Sequence, residues 1–146
     1  MALFNPSRDQ VRQFFFDAWA KFSARQPLTD LEAIALEVMQ MHPEYHQVLN
    51  TPERYLEQAY FPEMGETNPF LHMSLHLSIL EQIAIDQPPG IKAGYQSLQL
   101  KLSDNHLAQH ALMDCLAETL WQAQRTKSAP DSQAYLALIR QKKTAG

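Results

Sequence analysis

The chain has 146 residues, of which 45% are apolar and 19% charged, a globular balance that suits one domain around one core and excludes a disordered chain. Its formal net charge is −4 and its Lys and Arg residues are scattered, which argues against nucleic acid, since phosphate binding needs clustered cations. A single cysteine, Cys115, excludes an intramolecular disulfide and a Cys-based zinc knuckle, and no apolar run approaches the roughly 18–20 residues of a membrane span.

Helix signals follow one another along the chain. Ser7 with Gln10 resembles a capping box, opening a helix whose stripe is Val11, Phe14, Phe15, Ala18 and Phe22, with Trp19 on its edge. Phe16 falls outside the stripe, where it would meet another element or a second subunit. Thr29 and Glu32 form another capping box, for a helix to about Met41. Pro43 disfavours helical geometry at His42 and ends it there. A short helical piece follows over Glu44–Leu49. Thr51-Pro52 opens the next helix, to about Tyr60. Phe61–Thr67 reads as a loop. Asn68-Pro69 starts a helix to about Asp86, and Q-P-P-G is a stiff turn. A further helix runs to about Leu102. Ser103 is expected to cap the longest helix, to about Lys127, and a last helix holds Tyr135, Leu136 and Ile139. No segment alternates with period two. The expected fold is all-α: a single helical domain, 1–146, forming a compact bundle of about six helices around a buried central helix, Asn68–Asp86.

All six histidines fall into three i, i+4 pairs: His42/His46 in H-P-E-Y-H, His72/His76 in H-M-S-L-H and His106/His110 in H-L-A-Q-H. On an unbroken helix such a pair shares one face, a common way to grip a transition metal. At 100° per residue from Phe70, His72 and His76 lie at about 200° and 240°, in the middle of the apolar arc that runs from Leu75, Ile79 and Ile83 to Leu80 and Met73. Glu81 lies about 140–180° away and should not share their site; Gln82, Asp86 or Arg125 would be its partners. His106 and His110 border the stripe Leu112, Met113, Leu116, Leu120 and Ala123, with Ala117 on its buried side. Asp114 comes next, drifting by about 40° per step. His72, His76, His106, His110 and Asp114 are therefore the candidate metal ligands. His42 and His46 rank below them, because Pro43 breaks the helix between the two and His42 could simply cap the next turn.

Two readings follow. One is a metal-binding helical bundle holding zinc, iron, nickel or manganese. The other is a metal-free interaction module whose histidines form a buried hydrogen-bond network with Asp114, Gln109 and Tyr side chains, with a homodimer or protein partner on an exposed aromatic surface. H-P-E-Y-H is not H-E-x-x-H, no E-x-x-H occurs, and there is no phosphate-binding glycine loop or G-x-S-x-G elbow. No reaction is identified, so enzyme status stays open. The N-terminal residues lack a secretory pattern, and a cytoplasmic protein is expected. Cys115, among Leu and Ala, reads as a small buried hydrophobe.

N-P-F-L-H-M-S-L-H-L-S-I-L-E-Q-I-A-I-D-Q-P-P-G-I, Asn68 to Ile91, resembles a bacterial family known only as a domain of unknown function, number 1841. S-R-D-Q-V-R-Q-F-F-F-D-A-W, H-P-E-Y-H and A-Q-H-A-L-M-D-C-L-A-E-T-L-W-Q-A-Q-R are similar to the same family. The resemblance covers nearly the whole chain. It implies a compact single-domain bacterial protein and no activity.

Overall fold

Capping residues decide where the helices begin. Thr29 has extended backbone; its hydroxyl accepts from the Glu32 amide, and the Glu32 carboxylate accepts from the Thr29 amide. Two amides that a helix start leaves open are thereby satisfied. Lys21 Nζ donates to the same carboxylate at 2.9 Å. The Thr29 amide first, and Lys21 second, hold Glu32 below its ordinary pKa. Asn68 works likewise, its Oδ1 accepting from the Phe70 and Leu71 amides.

The computed structural model describes residues 8–58 and 68–144, and all regular structure among them is helical. The helices are α1 (Arg8–Ser23), α2 (Asp30–Met41), α3 (His46–Leu49), α4 (Pro52–Tyr55), α5 (Pro69–Ile85), α6 (Ile91–Leu102), α7 (Asn105–Thr126) and α8 (Ser132–Thr144), with a 3-10 turn at Pro43–Tyr45. The all-α expectation holds, with eight helices among the described residues where about six were expected. The excess is the two single-turn pieces, α3 and α4. Ser7 of the first capping box, the Phe61–Thr67 loop and Tyr60 lie outside the described residues. Ser103 does not cap α7: it closes α6 with left-handed backbone, and Asp104 caps α7 by accepting from the Leu107 amide. No helix among the described residues is long and apolar enough to cross a membrane.

The chain divides into two compact units, Met1–Leu77 and Ser78–Gly146, and the division falls inside α5. In the first unit α1 packs on α2 and α3. Phe15, Ala18, Trp19, Val38, Met39, Phe70 and Met73 are buried. Phe16 is buried as well, edge-on to Phe70 at 5.5 Å. The expected stripe of α1 errs at Phe22, which is exposed, and it omits Arg12. That guanidinium is 1% exposed, lies over the Phe70 ring at 4.7 Å, and donates through NH1 to the carbonyls of Tyr55, Leu56 and Gln58.

In the second unit α6, α7 and α8 pack on one another in all three pairings. A Cβ added to Gly94 on α6 would stand 3.0 Å from Ile139 Cγ2 on α8, so the missing side chain permits this approach. Ile79, Ile91, Leu98, Leu112, Met113, Leu116 and Ile139 are buried, whereas Leu120 and Ala117, expected inside, are exposed. Gln109 Nε2 donates to the Tyr95 hydroxyl and the Tyr135 hydroxyl donates to Gln82 Oε1.

The partners expected for Glu81 are engaged elsewhere. Gln82 serves Tyr135, Asp86 Oδ1 accepts from the amides of Gly90 and Lys92, and Arg125 lies over Trp121. Glu81 Oε1 is shielded from solvent with no hydrogen-bond partner among the described residues, and burial pushes the carboxyl pKa up. The folded protein thus binds this proton more tightly than the unfolded chain, so the group opposes folding once pH rises above the unfolded value near about 4.3. Glu81→Gln removes the charge that opposes folding, so it is expected to raise stability at neutral pH and to leave it unchanged in acid below the unfolded value. Urea midpoints under both conditions check this.

Candidate metal centre

Pro43 lacks the amide that would continue α2. The His42 amide donates to the Met39 carbonyl at 3.2 Å, its backbone turns away at φ −124° and ψ 67°, and Pro43 opens the 3-10 turn. This change of direction separates the two histidines of H-P-E-Y-H. His46 packs its ring on Trp19, centroids 4.6 Å apart, and its Nε2 donates to the Met39 carbonyl at 2.9 Å. Trp19 Nε1 in turn donates to Asn50 Oδ1 at 2.7 Å. His46 is therefore a structural histidine that fastens α3 to α1 and α2.

His42 does cap, as the C-terminal boundary of α2 and the start of the turn, but its ring does more. It is 2% exposed, with Nε2 3.2 Å from His76 Nδ1 and Nδ1 3.0 Å from Glu44 Oε2. α5 supplies His76, fully buried, and His72, half-buried. Ring centroids are 4.5 Å apart for His42–His72, 5.4 Å for His42–His76 and 6.3 Å for His72–His76. One nitrogen of each ring lies within 4.8 Å of a nitrogen of each of the others, so the three can address one ion. The candidate that sequence ranks low, His42, thus stands beside the pair it ranks high. The signal for it was the break itself: a proline after a histidine swings that ring off the helix it terminates.

Tyr45 closes one side, stacked on His42 at 5.3 Å and edge-on to His72 at 6.0 Å. Burial, then the Glu44 charge, pushes its hydroxyl pKa up, so it stays protonated. Burial works to raise the Glu44 carboxyl, but hydrogen bonds from the His42 ring and from its own amide hold it below the usual carboxylate value. That carboxylate is 58% exposed at its side chain while the His42 side chain is 3% exposed.

The other pair lies on α7. The rings of His106 and His110 stand 4.2 Å apart, both half-buried. The drift along H-x-x-x-H-x-x-x-D carries Asp114 to the exposed side of α7, where its carboxylate lies 3.9 Å from Lys142 Nζ. Cys115 is buried, and burial pushes its thiol up to about 11, so it is no thiolate ligand or nucleophile at neutral pH.

A family model described as a domain of unknown function (DUF1841) matches residues 7–141. No curated protein and no solved structure matches the chain. The matched stretch holds nearly every described residue and all three histidine pairs, and the chain belongs to the DUF1841 family.

Proposed function

We propose that this protein binds a first-row transition metal through His42, His72 and His76. The observation that carries the reading is the approach of His42 Nε2 to His76 Nδ1, 3.2 Å, with the third ring beside them. Two imidazole lone pairs cannot face each other so closely without a shared proton or cation. Around a tetrahedral ion with metal–nitrogen bonds of about 2.0–2.1 Å, two ligand nitrogens stand about 3.3–3.4 Å apart. Neutral imidazoles leave the charge of the ion intact, so a further position would bind water or a substrate oxygen and activate it. Zinc, iron and nickel suit such donors; manganese, which prefers oxygen, ranks last. The protein is taken as cytoplasmic and bacterial in this reading, with Cys115 reduced.

The same 3.2 Å separation also fits a proton shared between His42 and His76, which favours the metal-free interaction protein as the second reading. Elemental analysis of tag-free protein separates the two. About one metal per chain, and ligand-field absorption on loading with cobalt, support the metal site. Background metal after growth with added zinc, iron and nickel, together with no cobalt spectrum, sinks it. His110→Ala in the same assay tests whether H-L-A-Q-H donates as well. Ligating imidazoles must be neutral, so bound metal should be released in acid; affinity unchanged between pH 8 and pH 5 argues against histidine ligation.

A further inference from the structure

We propose that Glu44 sets the tautomer of His42 and is the outer carboxylate of the metal site, a positioning residue and not a ligand. The second half of this statement rests on the metal reading above; the first does not.

A carboxylate has no proton to give, so in the 3.0 Å contact between Glu44 Oε2 and His42 Nδ1 the ring nitrogen is the donor. In a neutral imidazole a proton on Nδ1 leaves Nε2 with its lone pair exposed. That lone pair is the one directed at His76, 3.2 Å away. Glu44 thus decides which end of the ring faces the cluster. Carboxylates in this place are a recurrent partner of metal-bound histidine: they fix ring orientation and make the imidazole a stronger donor.

The local chain explains why the residue is at hand. Pro43 starts the 3-10 turn, and the His42 carbonyl accepts from the Tyr45 amide at 2.9 Å. One tight turn brings the side chain two residues after His42 back over the His42 ring. Glu44 itself is mostly solvated, so replacing it removes one contact of the ring without opening the core.

The test uses tag-free protein labelled with 15N in its histidines, stripped of metal with a chelator, as wild type, Glu44→Ala and Glu44→Gln. Two quantities are read: the tautomer of His42 from long-range 1H–15N spectra, and zinc affinity by competition with a chromophoric chelator. Circular dichroism confirms that each variant is folded. The neutral form of wild-type His42 should carry its proton on Nδ1. Glu44→Ala should abolish that preference and weaken zinc binding by about 10–100-fold. Glu44→Gln keeps an acceptor oxygen, so it should hold the tautomer and lose less affinity. If the neutral ring carries its proton on Nε2 in the wild type, or if Glu44→Ala leaves its tautomer unchanged, the proposal is overturned. A tautomer change with zinc affinity equal to wild type overturns the outer-carboxylate role. A wild type that binds no zinc removes the metal reading and that role, while the spectra still decide whether Glu44 orients His42.

Discussion

His76→Ala should strip the protein of most of its metal, while His46→Ala should leave the metal in place. The two substitutions are chemically identical, and both remove a ring that bridges elements of the first unit. They differ in what the ring faces. His76 is fully buried with Nδ1 3.2 Å from His42 Nε2, whereas His46 spends its Nε2 proton on the Met39 carbonyl and its face on Trp19. Each variant should lose about 1–3 kcal/mol of stability, the cost of a buried partner left unsatisfied, so stability alone does not separate them. Metal content does. Adding His42→Ala to His76→Ala should remove little more metal, because a site already broken cannot be broken again. Equal metal content in His46→Ala and His76→Ala would remove the three-histidine site.

Arg12→Leu should destabilise the protein by about 3 kcal/mol. The two N–H groups on one nitrogen of this buried guanidinium are shared among three carbonyls, those of Tyr55 at 3.0 Å, Leu56 at 3.1 Å and Gln58 at 2.7 Å. These close the chain just after α4, where a four-residue helix leaves its last carbonyls without intrahelical partners. Leucine fills part of the volume beside Phe70 but satisfies none of the three. Arg12→Lys keeps the charge and loses the planar fork, so it should recover only part of the loss. Urea midpoints for the two variants measure the effect, and a shift under about 1 kcal/mol for Arg12→Leu would show those carbonyls to be solvated.

Local chemistry was legible in the residues, and long-range geometry was not. Thr29 with Glu32, Pro43, and Asn68 with Pro69 mark their helix ends because a cap is made by side chains within three residues of the backbone they serve. The burial of His76 follows from the apolar arc of α5 for the same reason: one helix suffices to define a face. Arg12 was hidden because its acceptors lie more than forty residues along the chain, and a helical wheel shows only that a charge interrupts an apolar stripe. That Phe16 meets another element follows from its place outside the stripe; that the partner is Phe70, on α5, does not. His42 ranks low in the sequence because Pro43 suspends the i, i+4 rule there, and a suspended spacing says only which face a ring leaves, not which one it meets. Pro43 separates His42 from His46 in the sequence, whereas the approach of His42 to His72 and His76 is a contact some thirty residues along the chain. Asp114 shows the opposite error, since a regular 40° drift was enough to carry it out beside Lys142.

The two tryptophans give each unit its own optical reporter. Trp19 is nearly sealed from water, its indole N–H held by Asn50 and its face against His46. Trp121 is half open to solvent under the Arg125 guanidinium. The first emits from an apolar surround beside a ring that quenches it when protonated; the second emits from a wet one. Their bands should separate in wavelength, so intensity at the blue edge follows the H-P-E-Y-H segment and intensity at the red edge follows α7. A single unfolding trace read at both edges then shows whether Met1–Leu77 and Ser78–Gly146 melt together or in turn.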